Sequence, residues 1–337
     1  MGLDDVGFVI IGRNEGERLM RCLRSVPDVP ARIYVDSGST DGSQDFARSL
    51  GFTVLDLELG QGQEFTAARA RNLGLAAIAD SHPEVRFVHT ADGDCELTPG
   101  WVQQARETLA ADETLAVVFG RRREKYPTRN IYHVACEIEW DVPAGEARSC
   151  GGDALFRLAA LQSVNGYNPR LIAGEEPDLC LRLRQNGWRI WANGRDMTLH
   201  DVDIGSMRQS WRRAMRAGHA TAELAALHGR QGDPGWHRFL LSIFFWTGVM
   251  ALAALLLLGA AAFQSAVFLA LGLAVVALLA VQVVRTSGQA RRKGFGQGTA
   301  LKWGLLLFVF KIAQVQGVLI YWARRLTSSR RTLIEYK

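Results

Sequence analysis

The sequence predicts an α/β domain built on a largely parallel sheet, followed by a helical region embedded in a membrane. Two observations carry this prediction. Up to residue 119, short β-branched or aromatic runs alternate with helical patterns, which is typical of parallel α/β sheets. From Phe239 to Val284 the chain contains no Asp, Glu, Lys or Arg, and this stretch is long enough for two spans of about 20 residues each.

The soluble part resolves into predicted strands and helices in alternation. Strands are predicted at 7–12, 32–36, 52–57, 86–91 and 115–119, and helices at 15–25, 42–50, 67–79 and 102–109. Residues 121–197 are less regular, apart from a helical run through 179–185. We interpret that region as the second half of the same domain.

Composition and charge indicate in which cellular compartment the soluble part lies and what kind of partner it binds. The net charge is +5, and the basic residues cluster beside the apolar segments, which favours anionic lipid headgroups over nucleic acid as partners. The five cysteines form no CxxC pair, which argues against a disulfide framework and a zinc site. The first residues lack a basic segment and a long apolar core, so no signal peptide is predicted. We therefore expect an integral protein of the inner or plasma membrane with a cytoplasmic soluble domain.

Polar clusters follow three of the predicted strands. They are Arg13-Asn14-Glu15, the segment DSGSTDG at 36–42, and Asp92-Gly93-Asp94. In parallel α/β sheets ligands bind at the carboxyl ends of the strands. The pattern therefore predicts a nucleotide-type pocket at that edge.

The DGD segment allows two readings. Asp92 and Asp94 could bind one hard divalent cation, which would in turn bind a diphosphate. Alternatively, DGD could be only a turn. A comparable choice applies to Asp36, which could accept hydrogen bonds from a nucleobase or ribose. Helix capping explains Asp41 well but explains Asp36 poorly, because Asp36 lies several positions too early.

Two further groups of side chains could carry chemistry. Glu175, Glu176 and Asp178 place three carboxylates just before a helical run, more than a helix N-terminus needs. Their mutual repulsion would raise one pKa and favour a general base. His200 could be a packed core histidine or could complete a metal site with the DGD carboxylates.

Taken together, these segments resemble family 2 glycosyltransferases, which have the GT-A fold. The resemblance covers about residues 7–201 in the order of that family. The segments that carry it are VIIGRNEGERLMRCLRSV, IYVDSGSTDGS, AARARNLGL, TADGDCELTPGWV, GGDALFR and VNGYNPRLIAGEEPDLCLRLRQNGW.

The resemblance implies a role for each matching residue. For the donor nucleotide sugar it implies Glu15, Asp36, Arg71, Asp92, Gly152 and Asp153. For a divalent metal, Mg²⁺ or Mn²⁺, it implies Asp94, with Asp92 and His200 as further ligands. Glu176 aligns with the catalytic Asp of the family, and the departure to Glu leaves Glu175 and Asp178 as rivals for the catalytic base.

The implied function is inverting transfer of a sugar from a UDP- or GDP-sugar to a lipid-linked or membrane-proximal acceptor, by a single displacement. Two alternatives stay open at this point: a catalytically silent membrane-bound module that binds a nucleotide or glycan, and a processive polysaccharide synthase. Some membrane members carry a QxxRW motif. Gln209, Trp211, Arg212 and Arg213 match it in part, because Arg213 stands where the final Trp is expected.

The domain organisation follows from these segments. Residues 1–205 form the predicted GT-A domain, and 206–238 a basic interfacial helix whose arginines could instead be a solvated face. Two spans are predicted at about 239–261 and 265–284. The third apolar segment, 303–323, contains Lys311; we predict that it is re-entrant or interfacial, with a full span as the rival. The basic tail, 324–337, is then cytoplasmic.

Overall fold

A computed structural model describes the chain at residues 2–58, 60 and 64–327. The contacts divide the chain into two compact units, Met1–Pro127 with Glu139–Asp203, and Thr128–Ile138 with Ile204–Lys337. The contacts place the boundary after Asp203, and the prediction from the sequence places it after residue 205. Residues 128–138, however, were predicted in the first domain and belong to the second unit. The reason is apolar packing, since Val134 and Ile138 form a buried cluster with Ala290, Ala300 and Trp303.

Within the described residues, the first unit contains a nine-stranded sheet. Its order is β3-β2-β1-β4-β8-β6-β9-β5, and β7 pairs with β9. The strands are β1 (Val6–Gly12), β2 (Ala31–Asp36), β3 (Thr53–Asp56), β4 (Phe87–Asp92), β5 (Cys95–Leu97), β6 (Leu115–Glu124), β7 (Gly145–Glu146), β8 (Ala154–Arg157) and β9 (Arg189–His200).

The first four strands pair in parallel, with β1 between β2 and β4 and with β3 next to β2. Strand β1 is buried along nearly its whole length, as a continuous apolar run in a parallel sheet requires. Because these strands run in one direction, the loops that follow β1, β2 and β4 lie at one edge. The sheet becomes mixed at β8, which is antiparallel to both β4 and β6.

The helices of this unit lie between the strands as the periodicity predicts. They are α1 (Glu17–Ser25), α2 (Ser43–Ser49), α3 (Ala67–Ser81), α4 (Trp101–Ala111), α6 (Leu158–Ser163) and α7 (Glu175–Gln185), while α5 (Ile131–Trp140) begins in the second unit. Helix α7 starts at Glu175. The three acidic residues therefore form its first turn, whereas we had predicted that they precede the helix. Pro177 fits there because backbone N–H groups in a first turn have no helical acceptor.

The second unit contains four long helices: α8 (Met207–His228), α9 (Pro234–Phe263), α10 (Ala266–Arg292) and α11 (Gln297–Leu326). Helices α9, α10 and α11 are each long and apolar enough to cross a membrane. The break between α9 and α10 falls at residues 264–265, inside the turn predicted from the sequence. That α9 and α10 cross a membrane stays a prediction.

Helices α8 and α11 cross each other at two glycines. A Cβ on Gly218 of α8 would overlap the backbone of Gln314, and one on Gly317 of α11 would overlap the backbone of Met215. Only glycine lets two helix backbones approach this closely. The side chain of Trp211 adds a hydrogen bond across the crossing, donating from Nε1 to Oε1 of Gln316 at 2.8 Å.

The third apolar segment is one unbroken helix, α11, of 30 residues. Its contacts with α9 involve the early part of that helix: Phe308 packs on Trp246, and the ammonium of Lys311 lies 3.4 Å from the hydroxyl of Ser242. Farther along, Val318 and Tyr321 pack on Ile243. Whether this segment is re-entrant, lies along the interface or spans the membrane stays a prediction. The predicted tail lies outside the described residues from position 328 onward.

Candidate active site

The loops that follow β1 and β2 are tied together by hydrogen bonds. The backbone N–H of Asn14 donates to Oγ of Ser39 at 2.9 Å, and the N–H of Thr40 donates to Oδ1 of Asn14 at 2.7 Å. The N–H of Gly16 donates to the carboxylate of Asp41 at 2.9 Å. These bonds join two of the polar clusters found in the sequence into one wall of the site.

Asp36 is fully buried at the end of β2, and its carboxylate binds its own loop. One oxygen accepts from the backbone N–H groups of Gly38 and Ser39, and the other accepts from the Tyr34 hydroxyl at 2.8 Å. Burial alone would raise the pKa of Asp36, but hydrogen bonds from Ser39, Gln44 and Tyr34 outweigh it and hold the pKa below its ordinary value. Its role in holding the loop is therefore clear, while direct contact with a nucleoside stays a prediction.

Arg71 connects the DGD segment to the acidic helix α7. It is buried on the second turn of α3, and its guanidinium donates to Oδ1 of Asp92 at 2.8 Å. The same guanidinium donates to Oε1 of Glu176 at 2.7 Å and to Oε1 of Glu175 at 3.3 Å. The structure thus brings together four of the residues that the family resemblance assigned to the donor site and to catalysis.

Gly152 lies directly against this network. A Cβ at this position would overlap the guanidinium of Arg71 and would lie 3.0 Å from Oδ2 of Asp92 and 3.3 Å from Oε1 of Glu176. The absence of a side chain at Gly152 therefore leaves room for the Arg71 network.

Asp153 is buried behind the DGD segment. Its carboxylate accepts from the guanidinium of Arg122 at 3.0 Å, from the hydroxyl of Thr198 at 2.9 Å and from the backbone N–H of Asp92 at 3.2 Å. Burial alone would raise the pKa of Asp153, but the charge of Arg122 overcomes this and lowers the pKa. Asp153 therefore holds the backbone of Asp92 in place. We had assigned Asp153 to donor binding, and in the structure it supports another residue of the site.

Asp94 and His200 form a buried pair at the end of β4. Nε2 of His200 lies 3.2 Å from Oδ2 of Asp94, and both side chains are about 5% exposed or less. Nδ1 of His200 is also buried and has no hydrogen-bond partner among the described residues. A buried carboxylate beside an imidazole with an unsatisfied nitrogen is a donor set that suits a divalent metal.

The charge balance also fits a cation. Five carboxyl groups surround the site, those of Asp92, Asp94, Asp153, Glu175 and Glu176, and they face two guanidinium groups, those of Arg71 and Arg122. Asp92 pairs with Arg71 and lies outside the group of ligand atoms around Asp94 and His200. Its assignment to the metal stays a prediction, whereas Asp94 and His200 lie where that prediction requires.

Glu176 has the electrostatic environment of a general base. Burial and the neighbouring Glu175 carboxylate together raise the pKa of Glu176 to about 7, against the opposing effect of Arg71. Asp178, the third acidic residue, is instead held by Arg182, whose Nε donates to Oδ2 at 2.8 Å. Because Arg182 also donates to two backbone carbonyls, Asp178 anchors helix α7. The geometry favours Glu176 over Asp178 as the base.

The sequence reasoning missed two residues of this site. Arg122 lies near the end of β6, in the run GRRRE, and its charge could have been placed at the sheet edge once β6 was extended to Glu124. Cys95 directly follows the DGD segment and lies with Asp94 and His200 in one group of metal-binding atoms.

Glu15 lies beside Gly93, and its carboxylate pairs with Arg18 at 2.9 Å.

The residues assigned to a membrane interface lie in the first turns of α8. The side-chain oxygen of Gln209 accepts from the N–H of Gly205 at 3.0 Å and from the hydroxyl of Ser206 at 3.0 Å, so it stabilises the start of the helix. Arg212 and Arg213 are partly exposed on α8. Contact of these residues with lipid stays a prediction.

A comparison with family models identifies the first part of this sheet and its loops. Residues 8–156 match the model of glycosyl transferase family 2. Over these residues the chain is similar to family 2 glycosyltransferases. The match ends before Glu175, Glu176 and His200, whose assignment to the site stays a prediction.

A solved structure shows the same fold. The mannosyltransferase PcManGT from Pyrobaculum calidifontis, in complex with GDP-Man and Mn²⁺, is similar over 95% of this chain and 88% of its own, with 20% sequence identity and a TM-score of 0.63. TarS 1-349 from S. aureus, in complex with UDP-GlcNAc, matches over 66% of each chain, with 16% identity and a TM-score of 0.46. The similarity to the mannosyltransferase shows that the α/β unit of this chain has the GT-A fold.

Proposed function

We propose that this chain is a metal-dependent, inverting glycosyltransferase. It transfers a sugar from a UDP- or GDP-sugar to a hydroxyl group of a lipid-linked or membrane-proximal acceptor, in glycan, glycolipid or exopolysaccharide synthesis. The observation that carries this proposal is the network in which Arg71 joins Asp92 to Glu176, beside the buried pair of Asp94 and His200.

The metal part of the proposal rests on the donor set. Asp94 and His200 would hold Mg²⁺ or Mn²⁺, and the similar mannosyltransferase was solved with Mn²⁺ and GDP-Man. When bound, the metal supplies positive charge that stabilises the leaving nucleoside diphosphate. Arg122, whose side chain lies 3.7 Å from Asp92, adds a second positive charge near the same carboxylate.

The acid–base part of the proposal rests on Glu176. With a pKa of about 7, its carboxylate is ionised in a large fraction of molecules at neutral pH and is still basic enough to accept a proton. It takes the proton of the acceptor hydroxyl as that oxygen attacks the anomeric carbon. Arg71 fixes the orientation of the Glu176 carboxylate at 2.7 Å. Attack on the face opposite the leaving group inverts the anomeric configuration.

The acceptor part of the proposal rests on Lys311. This cation lies in an apolar helix, and its contacts within the described residues are to the Ser242 hydroxyl and the ring of Phe308. A cation on an apolar helix at the membrane surface lies at the level of the negatively charged lipid headgroups, which attract it. A phosphate group that links the acceptor sugar to its lipid would attract it in the same way.

A transfer assay with the full chain in liposomes tests this function. We expect one donor from a panel of UDP- and GDP-sugars to yield, with Mn²⁺, a lipid product that carries one added sugar of inverted configuration. Lys311→Ala should raise KM for the lipid acceptor by about tenfold, the value of one charged contact. Lys302→Ala, on the exposed start of the same helix, is the matched control and should leave KM unchanged.

The other outcomes of this assay contradict the proposal. Donor binding without hydrolysis or transfer would make the chain a silent binding module. Products that carry many sugars would make it a processive synthase. Retention of the anomeric configuration would exclude the single displacement.

The membrane topology is part of the proposal. At 1.5 Å per residue, residues 308–321 of α11 extend over about 20 Å, whereas the α9 residues that they contact, 239–246, extend over about 10 Å. Helix α11 therefore crosses the first part of α9 and does not run along its length. We propose that α9 and α10 form a membrane hairpin, that α11 lies at its cytoplasmic base, and that the end of α11 stays cytoplasmic.

Cysteine labelling in intact cells tests this topology. The five native cysteines are buried, so the background is expected to be low. Cysteine placed at Gln264, in the turn between α9 and α10, should react with an impermeant maleimide from outside. Cysteine at Thr327 should react only after the cells are permeabilised. Labelling at Thr327 from outside would show instead that α11 is a third span.

A further inference from the structure

The metal site contains a sulfur atom that its oxygen and nitrogen ligands do not explain. Cys95 opens β5 and pairs directly with His200 across the antiparallel β5–β9 ladder, which places the two side chains as close cross-strand neighbours. Its Sγ lies 3.5 Å from Oδ1 of Asp94. One ligand atom from each of Asp94, Cys95 and His200 falls within 4.8 Å of the other two, and all three residues are buried.

A second observation, on the imidazole of His200, supports a metal-binding role for this cluster. The imidazole of His200 is 4% exposed, and its Nδ1 has no hydrogen-bond partner within the described part of the chain. A buried polar nitrogen without a partner is costly, and a bound ion is one of the ways in which proteins remove that cost. The other ring nitrogen, Nε2, faces the Asp94 carboxylate at 3.2 Å, so Asp94, Cys95 and His200 offer oxygen, nitrogen and sulfur within 4.8 Å of one another.

We propose that Cys95 is a third protein ligand of the metal and that it determines which metal the site prefers. Thiolate is a soft ligand, which favours Co²⁺ or Zn²⁺ over Mg²⁺, whose preferred ligands are carboxylate, carbonyl and water. As the metal binds, the thiol of Cys95 releases its proton to solvent and the sulfur forms the metal bond. This inference rests on the proposed metal-dependent function and refines its cofactor.

The test uses Co²⁺ binding to the full chain in detergent, followed by absorption spectroscopy. Wild-type protein should show the thiolate-to-cobalt charge-transfer band in the near ultraviolet, and Cys95→Ser should lose it. Cys22→Ser is the matched control, because Cys22 is equally buried and its Sγ lies 3.6 Å from the backbone oxygen of Asp92. This variant should keep the band.

A competition measurement covers the case in which Cys95→Ser folds poorly. Calorimetric titration of the wild-type protein should show a preference for Co²⁺ over Mg²⁺, and Cys95→Asp, which replaces sulfur with a hard oxygen ligand, should reduce that preference by about 10- to 100-fold. Folding of each variant is checked by circular dichroism.

The possible failures are distinguishable. Co²⁺ that binds with visible bands but no charge-transfer band in the wild-type protein would remove Cys95 from the site and leave the proposed function intact. A charge-transfer band that persists in Cys95→Ser and disappears in Cys22→Ser would assign the sulfur to Cys22. Failure of the wild-type protein to bind Co²⁺, Mn²⁺ or Mg²⁺ would overturn both this inference and the metal dependence.

Discussion

Asp94→Asn should lower turnover by about three decades or more. Asp94 is the buried carboxylate next to His200, and its replacement removes the negative oxygen with the strongest attraction for a divalent cation. Charge stabilisation of a leaving diphosphate by a metal is worth several kcal/mol, and each 1.36 kcal/mol changes the rate about tenfold. The measurement is the rate of sugar transfer with saturating donor over a titration of Mn²⁺.

The controls for Asp94→Asn separate the metal from general loss of charge. Asp196→Asn removes a carboxylate that lies on the same strand as His200 but pairs with Arg121 and Arg123, and it should leave turnover close to that of the wild-type protein. Asp92→Asn should retain part of the activity, because Asp92 binds Arg71 in the structure. Full activity of the wild-type protein in EDTA would contradict the role assigned to Asp94.

Glu176→Gln should preserve folding and donor binding but lower transfer by about two to four decades, the usual cost of a lost general base. The amide keeps the size of the side chain but cannot accept the proton of the acceptor hydroxyl. Glu175→Gln is the matched control, since it changes the neighbouring carboxylate and leaves the Arg71–Glu176 hydrogen bond in place. Donor binding is measured by calorimetry and transfer by product formation.

The pH dependence of transfer provides a second readout for Glu176. Burial and Glu175 raise its pKa to about 7, so the basic form is populated only as the pH rises through that value. We therefore expect kcat/KM for the acceptor to fall about tenfold per pH unit below pH 7, and this limb to be absent in Glu176→Gln. If Glu176→Gln transfers sugar at the wild-type rate and Glu175→Gln does not, the base is Glu175.

The raised pKa of Glu176 also affects stability, and its sign is opposite to that of an ordinary ion-paired carboxylate. A folded-state pKa above the ordinary 4.5 favours the protonated form in the folded protein. The resulting contribution is fully present below about pH 4.5 and is lost as the pH rises to about 7. Ionisation of Glu176 therefore makes the folded protein less stable, so this residue does not serve stability at neutral pH.

The sequence by itself determined the order of elements up to residue 119 and most of the residues of the candidate site. The alternation of apolar strands and helices up to residue 119 was sufficient because parallel strands must be covered on both faces and therefore leave continuous apolar runs. The positions of Glu15, Asp36 and Asp92 at strand ends followed from the same pattern. The charge-free stretch after Arg238 predicted two long apolar helices, α9 and α10, because it is long enough for two membrane spans. The break between these helices falls at residues 264–265.

The tertiary structure alone decided which of these groups meet. Arg71 contacts residues 21 and more than 100 positions away, and no local pattern records that one guanidinium binds both Asp92 and Glu176. The same applies to Asp178, which the sequence left as a rival base until its carboxylate was found on Arg182. Cys95 became a ligand candidate only when β5 and β9 paired. Local sequence sets the periodicity of strands and helices, whereas the contacts between distant side chains depend on how the elements pack in three dimensions.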